Sequence, residues 1–200
     1  GPLTAEQINV LERTQKNAHE LLELINATLD LSRLQSQRIP LEIEEIKVSE
    51  FMADLEIQAQ QLNRKPNLQV QWSVAAHLPT LHTDALKLKM VLKNLLTNAL
   101  KFTEVGRVSV SAVPQDNGVA FIVADTGPGI PADELAVIFE PFRQGGTFAT
   151  RRQGGVGLGL YIVQQLLNLL GGAITVHSEL GKGSTFRTWL PYQMKKEGAI

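Results

Sequence analysis

Apolar residues recur every three or four positions along residues 4–35, which is the pattern of a long amphipathic helix. Leu21, Leu24 and Leu31 widen the stripe beyond the seam of a two-stranded coiled coil. A lone helix does not bury so broad a face, so we predict that this helix belongs to a bundle and ends before Pro40. The alternative is a helix that lies on its own domain. The seam positions are Ile8, Leu11, Gln15, Ala18, Leu22, Ile25, Leu29 and Ser32.

From residue 41 onward, stretches that alternate like strands are interleaved with stretches of helical spacing. A turn signal at 115–118 joins two of the strands, and Gly171-Gly172 stops the last helix. Strands are predicted at about 41–46, 68–74, 108–112, 119–123, 173–178 and 185–190, and helices at about 51–62, 84–102 and 156–170. This order predicts an α+β fold in which one face of a sheet is covered by helices.

The composition excludes several classes of protein. There are 19 basic and 20 acidic side chains, so the near-neutral charge gives no electrostatic reason to expect nucleic-acid binding. The absence of cysteine excludes disulfides, thiolate zinc sites and a cysteine nucleophile, and it fits a reducing compartment. The uncharged stretch 154–176 contains six glycines, which makes it a poor membrane span. We expect a cytoplasmic chain that contacts neither nucleic acid nor membrane; that it belongs to a longer protein anchored in a membrane stays open.

The predicted helix at 84–102 carries a polar stripe. Asn94, Asn98 and Lys101 fall at positions i, i+4 and i+7, on one face. An amide oxygen is a suitable ligand for Mg²⁺, and lysine offers a positive charge for phosphate. Taken alone, such a stripe is more often only solvated surface.

Three glycine-containing segments stand out beside it. Residues 125–131 follow a predicted strand, and the carboxylate of Asp125 suits an exocyclic amine such as adenine N6; an ordinary turn is the alternative. Residues 154–160 open a helix, where backbone N–H groups are free to approach phosphate. They match neither the dinucleotide fingerprint nor a P-loop. Residues 181–186 alone would be a hairpin turn.

In their order and spacing, these four segments resemble the N, G1, G2 and G3 boxes of the histidine kinase ATP-binding domain. Residues 139–144 resemble its F box, and residues 150–160 resemble the segment between lid and G2 box in hybrid sensor kinases. The similarity covers residues 45–191. It implies a Bergerat-type fold, a two-layer α+β sandwich with a mixed sheet covered by helices. The wider superfamily includes gyrase, mismatch-repair ATPases and heat-shock chaperone ATPases.

The resemblance also implies roles for individual residues. Asn98 would hold Mg²⁺ on ATP, with Asn94 nearby and Lys101 on phosphate, while Asp125 would read adenine. Residues 139–154 would form a mobile lid, in which either of two arginines would contact the γ-phosphate. The other expected ATP-binding residues are Gly127, Gly129, Ile130, Phe139, Phe142, Arg151, Arg152, Gly155, Gly157, Leu158, Gly159 and Thr185.

Asn94 separates the branches of the superfamily. The hydrolytic relatives carry a glutamate at this position, which activates water, whereas an amide cannot act as a general base. The resemblance therefore favours a kinase over an ATPase. An ATP-driven conformational machine and a pseudokinase that only binds nucleotide stay open as alternatives.

The phosphoacceptor motif of the family, in which the histidine is followed by a basic residue and proline, is not found. The segment 18–22 contains His19 but lacks both, and its continuation resembles the second helix of the dimerisation bundle. His77, His82 and His177 have no such context. We therefore expect the acceptor histidine to lie outside this chain.

The expected organisation has four parts. Residues 1–2 resemble the scar of a cleaved tag, and 3–40 would be the second bundle helix without the first. Residues 41–192 would be the ATP-binding catalytic domain, and 193–200 a tail. The expected partners are ATP, a second copy bound through the bundle, and the receiver domain of a response regulator.

Overall fold

A computed structural model describes residues 3–35, 40–63, 65–143 and 157–194. The helices are α1 (Ala5–Gln35), α2 (Val48–Leu62), α3 (Ala85–Phe102), α4 (Ala132–Leu135) and α5 (Gly159–Leu169). The strands are β1 (Glu44–Ile46), β2 (Leu68–Val74), β3 (Leu81–Thr83), β4 (Gly106–Gln115), β5 (Gly118–Asp125), β6 (Ala173–Glu179) and β7 (Gly183–Pro191).

Five strands form a mixed sheet in the order β2-β4-β5-β7-β6. The β2–β4 pair is parallel, and the other three pairs are antiparallel. Helices α2, α3 and α5 contact strands of this sheet. The predicted α+β sandwich is therefore confirmed. A second sheet, in which β1 pairs antiparallel with β3, was not expected from the sequence.

The core lies between the helices and the sheet. Along β4, Val108, Val110 and Ala112 are buried, while the intervening Ser109 and Ser111 are half-buried. Helix α3 contributes seven buried apolar side chains, and the valine and five leucines among them each stabilise the fold by about 1.5–3 kcal/mol. They are Leu88, Val91, Leu92, Leu95, Leu96, Ala99 and Leu100. Because this face is fixed against the core, the polar stripe of α3 is fixed in direction as well.

The start of α3 is anchored by a buried carboxylate. Asp84 caps the helix by accepting a hydrogen bond from the backbone N–H of Lys87, and it also accepts from the backbone N–H of Glu42. Burial alone would raise the pKa of Asp84, but the hydrogen bonds and charge of Lys87, together with the Glu42 hydrogen bond, lower it. The Lys87 ammonium also reaches the carbonyl oxygen of Pro40, which ties the entry of the domain to α3.

Helix α5 is shorter at its start than the sequence pattern predicts. The pattern places the start near residue 156, but Gly157 has a φ of +73° and the helix begins at Gly159. Its end is as predicted. Gly171 has a φ of +69°, and the N–H groups of Gly171 and Gly172 bond the carbonyls of Asn168 and Leu167, which is a Schellman cap.

Helix α1 differs from the other long helices because a whole row of its described large apolar side chains is exposed. Ile8, Leu11, Leu22, Ile25 and Leu29 are between 44% and 54% exposed. The helix contacts α5 over part of its length. Among the described residues, no helix has the length and the apolar character needed to cross a bilayer.

Candidate active site

The polar stripe of α3 meets the first residue of α5. A Cβ atom placed on Gly159 would lie 3.1 Å from Asn94 Oδ1 and 3.9 Å from Asn98 Nδ2. The Asn94 amide nitrogen donates to the carbonyl oxygen of Met90 at 2.9 Å, which leaves its oxygen on the side of Gly159. The N-terminus of a helix carries free N–H groups and partial positive charge. Two amides and a helix N-terminus therefore face one space, as an anion with a bound Mg²⁺ requires.

Gly157 lies directly against Arg143, so the described residues just before and just after the segment 144–156 are close together. Its positive φ and its closeness to the carbonyl of Arg143 leave no room for a Cβ atom. Phe142 also has a positive φ, 62°, and is 59% exposed, whereas Phe139 is half-buried against the core. Leu158, between the two site glycines, is buried. The predicted phosphate-contacting residues Arg151, Arg152 and Gly155 lie outside the described residues.

Asp125 ends β5 and is half-buried at the other end of the site. Its Oδ1 accepts a hydrogen bond from the backbone N–H of Gly127 at 2.8 Å. Burial raises the pKa of the Asp125 carboxyl, and the hydrogen bonds from the backbone of Gly127 and Ser184 offset part of that rise. Thr185 stands on the neighbouring strand, paired with Ala124. Backbone N–H groups therefore fix the direction in which this carboxylate points.

The turn after Asp125 packs against two other parts of the fold. Gly127 lies at the end of α3, since a Cβ there would be 3.1 Å from Thr103 Oγ1 and 3.2 Å from the Phe102 carbonyl oxygen. Gly129, with a φ of +71°, lies against the carbonyl of Glu179. The N–H of Ile130 donates to Ser178 Oγ at 2.7 Å. These contacts hold the turn between α3 and the β6–β7 hairpin.

The structure thus brings the predicted residues into two groups joined by α3. One group contains Asn94, Asn98, Gly157, Leu158 and Gly159, and the other contains Asp125, Gly127, Gly129, Ile130 and Thr185. Lys101 belongs to the last turn of α3, between the groups, with its Nζ 5.6 Å from the centre of the Phe102 ring.

Sequence reasoning did not assign a role to Thr103. Its hydroxyl is fully buried and has no hydrogen-bond partner among the described residues, and it faces Gly127 in the turn after Asp125. The available signal was its position directly after the helix that carries the polar stripe. Its burial depends on the turn that folds over it, which the sequence pattern does not show.

The donor set suits magnesium shared with a nucleotide. Within the described part of the chain, no group of three or more His, Asp, Glu or Cys side chains is arranged to hold a metal ion. Mg²⁺ commonly takes only one or two protein oxygens and completes its shell with phosphates and water. The amide oxygens of Asn94 and Asn98 fit that requirement.

Residues 83–194 match the family model described as histidine kinase-, DNA gyrase B- and HSP90-like ATPase. The chain belongs to this family. It is 36% identical over 196 residues to the circadian input-output histidine kinase CikA of Synechococcus elongatus, covering 96% of this chain and 26% of that protein. It is 39% identical over 198 residues to the aerobic respiration control sensor protein ArcB of Escherichia coli, covering 92% and 24%. The chain spans about a quarter of the length of these relatives.

Solved structures of histidine kinases superpose on this chain. Full-length ShkA in complex with AMPPNP superposes with a TM-score of 0.77 at 36% identity, covering 96% of this chain and 40% of that one. The mycobacterial sensor histidine kinase MprB gives 0.62 at 28% identity, covering 74% of this chain and 97% of that one. The chain therefore carries an ATP-binding catalytic domain of the sensor histidine kinase type.

Proposed function

We propose that this chain binds Mg-ATP and transfers its γ-phosphoryl group to a histidine of a sensor kinase, for relay to an aspartate of a response regulator. The observation that carries the proposal is the meeting of the Asn94–Asn98 amides with the N-terminus of α5 at Gly159. Amide groups and the N–H groups of a helix N-terminus suit an anion with Mg²⁺ bound. Asp125 lies at the other end of the site, where the Gly127 turn that follows it packs against the C-terminal end of α3.

The phosphate end of the proposed site combines side chains of α3 with the start of α5. Asn98 is the proposed Mg²⁺ ligand, with Asn94 beside it and Lys101 on phosphate. Bound Mg²⁺ would neutralise charge on the phosphate oxygens. The backbone around Gly157 and Gly159 supplies N–H donors, and the helix dipole adds partial positive charge. Arg151, Arg152 and Gly155 complete this proposal from the sequence.

The base end is proposed to read adenine. The Asp125 carboxylate accepts a hydrogen bond from the exocyclic amine, and the Gly127 N–H that it already accepts holds it in orientation. Gly129 and Ile130 belong to the turn that follows this carboxylate and are proposed to line the base pocket, and Thr185 is paired with Ala124 on the neighbouring strand. Phe139 and Phe142 belong to the proposed lid.

The choice of transfer over hydrolysis rests on Asn94. Its side-chain nitrogen donates to the Met90 carbonyl, and an amide has no basic site with which to take a proton from water. In phosphoryl transfer the protein mainly positions the reactants and stabilises charge. The site is therefore suited to present ATP to an incoming imidazole rather than to activate water.

The proposed partners follow from the helical segment and the histidines. Helix α1 exposes its apolar seam, which supports a dimeric bundle with a second copy. None of the four histidines has the phosphoacceptor motif, so the acceptor is proposed to belong to the partner helix of that bundle. A receiver domain would take the phosphoryl group next. The need for ATP supports a cytoplasmic location.

Incubation with γ-labelled ATP tests this function. We expect the chain alone to bind ATP with little labelling and slow release of phosphate. The first bundle helix, which carries the acceptor histidine in this proposal, is then added as a separate polypeptide. Acid-labile label should appear on the histidine of that polypeptide. Fast steady hydrolysis by the chain alone would instead favour a conformational ATPase. Self-labelling that is lost in His19→Ala would make His19 the acceptor.

A further inference from the structure

Lys65 lies in the loop between α2 and β2, yet its ammonium group is at the C-terminal end of α3. Its Nζ donates to the carbonyl oxygens of Leu100 at 2.9 Å, Lys101 at 3.2 Å and Thr103 at 3.0 Å. It also pairs with Glu104 Oε1 at 3.0 Å. The Lys65 side chain is only 31% exposed. Three backbone carbonyls and one carboxylate therefore surround a single cation.

The loop is built so that Lys65 points at the helix end. Asn63 Oδ1 accepts from the Lys65 N–H at 3.1 Å, and Asn63 Nδ2 donates to the Leu68 carbonyl at 3.0 Å. The next strand is also tied down, since the N–H of Gly106 donates to the carbonyl of Asn67. Ordering a lysine side chain costs conformational entropy. Because the hydrogen bonds of Asn63 and Asn67 already order the backbone of the loop, only the side chain of Lys65 has to be ordered when it caps the helix.

The end of α3 needs such a partner. The last four carbonyls of a helix have no hydrogen-bond donor inside it. The Ala99 carbonyl accepts from the Thr103 N–H, and Lys65 takes the next two, those of Leu100 and Lys101. A cation is also favoured at the negative end of the helix dipole. The Phe102 carbonyl, which follows, lies against Gly127.

Both groups of the candidate site depend on this turn. Lys101 projects from it, and Asn98 lies about one helical turn before it. The turn that holds Asp125 packs against it through Gly127. A shift of the last turn of α3 would therefore change the spacing between the proposed phosphate-binding stripe and the proposed base-reading carboxylate.

We propose that Lys65 is a positioning residue for nucleotide binding, acting through the backbone at the end of α3. The proposal rests on the proposed function, because it concerns the same ATP site. Lys65 sets the position of the end of α3 against the Asp125–Gly127 turn. The nucleotide is bound between the polar stripe of α3 and the Asp125 carboxylate, so their spacing depends on Lys65. Acylation of this lysine would remove the charge and most of the donors that make the cap.

Calorimetric titration with Mg-ATP, together with the thermal midpoint, tests this role. Lys65→Met keeps the apolar stem but leaves the carbonyls unpaired, and we expect ATP affinity to fall by about tenfold. Lys65→Arg keeps charge and N–H donors and should restore affinity to within about threefold of the native value. Lys47→Met is the matched control, because Lys47 makes an exposed pair with Glu50, and its affinity should not change.

Two further variants distinguish the effect of the carbonyl cap from the effects of the ion pair and of lowered stability. Glu104→Gln removes the ion pair but leaves the cap, so its affinity should stay within about twofold of native. Val48→Ala lowers stability from the buried start of α2, a helix that contributes no candidate site residue, and should keep native affinity at a reduced thermal midpoint.

Several outcomes would overturn the proposal. They are native affinity in Lys65→Met, an equal loss in Val48→Ala or Glu104→Gln, and no recovery in Lys65→Arg. If Lys65→Met does not fold, Lys65→Gln is titrated instead and decides in the same way. If the native chain binds no ATP, the proposed function fails by itself. Hydrogen exchange then decides on Lys65, because the Thr103 amide should exchange faster in Lys65→Met, but not in Lys65→Arg, only if the cap holds the helix end.

Discussion

Helices α1 and α3 share the same sequence pattern, but the apolar face of α3 is buried and that of α1 is exposed. Both are long, and both carry an apolar stripe at helical spacing. In α3 seven apolar side chains are buried against the core of the domain, whereas the seam of α1 stays about half exposed. The periodicity predicts which face of a helix is apolar, but it does not say which surface covers that face. For α3 the cover is its own domain, and for α1 the proposed cover is a partner helix.

The largest expected effect concerns the buried face of α3. Leu96→Ala removes a side chain that is 1% exposed, and we expect the free energy of unfolding to fall by about 2–5 kcal/mol. Leu22→Ala in α1, at a position 54% exposed, should change it by less than about 0.5 kcal/mol. Urea denaturation at low protein concentration measures both. Equal losses would mean that α1 is packed on its own domain.

The second prediction concerns the polar face of α3. Asn98→Ala removes the proposed Mg²⁺ ligand, so ATP affinity should fall by about tenfold to a hundredfold and lose its dependence on magnesium. The thermal midpoint without nucleotide should change little. Lys93→Ala is the control, because Lys93 is exposed on the same helix. Titration calorimetry with and without Mg²⁺ gives the comparison, and unchanged magnesium dependence would contradict the assignment.

The element boundaries show what local pattern predicts well. Strand β2 spans Leu68–Val74, as its alternation indicates, and α3 begins directly after Asp84. Strand β3, Leu81–Thr83, was missed because three residues do not establish a period. The parallel β2–β4 pairing was not predicted either, because alternation shows the faces of a strand and not its neighbours.

The candidate site shows the same division. The residues of its segments could be named from sequence because their spacing is local to each segment. Their juxtaposition depends on the fold, as with Asn94 and Gly159, which belong to helices that meet only in three dimensions. Lys65 had no local signal at all, because its partners lie 35 to 39 positions further along the chain. Contacts over such separations are set by the packing of the whole domain.

The third prediction uses Asp125, next to the end of α3. Its folded-state pKa is raised by burial, so the ionised carboxylate costs stability at neutral pH, and this cost disappears as pH falls below the ordinary value of 3.8. Asp125→Asn should therefore raise the thermal midpoint at neutral pH, with a difference that shrinks on acidification. The same variant should weaken ATP binding and reduce the preference for ATP over GTP.

The two readouts of Asp125→Asn are expected to have opposite signs. Thermal melts from about pH 3 to about pH 8, which extend below the ordinary carboxyl value of 3.8, give the first, and competition between ATP and GTP gives the second. A variant that is less stable at every pH would show that the hydrogen bonds of the carboxylate outweigh its burial. An unchanged preference for ATP would remove Asp125 from base reading.

The smallest expected effect is weak association through α1. A seam that is half exposed loses less water on pairing than a buried core, so we expect self-association only at high concentration. In sedimentation, the average mass of the native chain should rise with concentration. Leu22→Glu combined with Ile25→Glu places two charges on the seam and should keep the chain monomeric. Asn9→Glu with Asn17→Glu adds the same charge at exposed positions off the seam and should leave association intact.

Nucleotide affinity links this last test to the comparison of the two helices. Helix α1 contributes none of the candidate site residues, so the Leu22→Glu and Ile25→Glu variant should bind ATP like the native chain. Two glutamates placed on the apolar face of α3 would unfold the domain, because that face is buried in the core and the charges could not reach water. Strictly monomeric behaviour of the native chain at high concentration would contradict the partner-facing assignment of α1. Loss of ATP binding in the α1 variant would show that the two helices are coupled through α5, which α1 contacts.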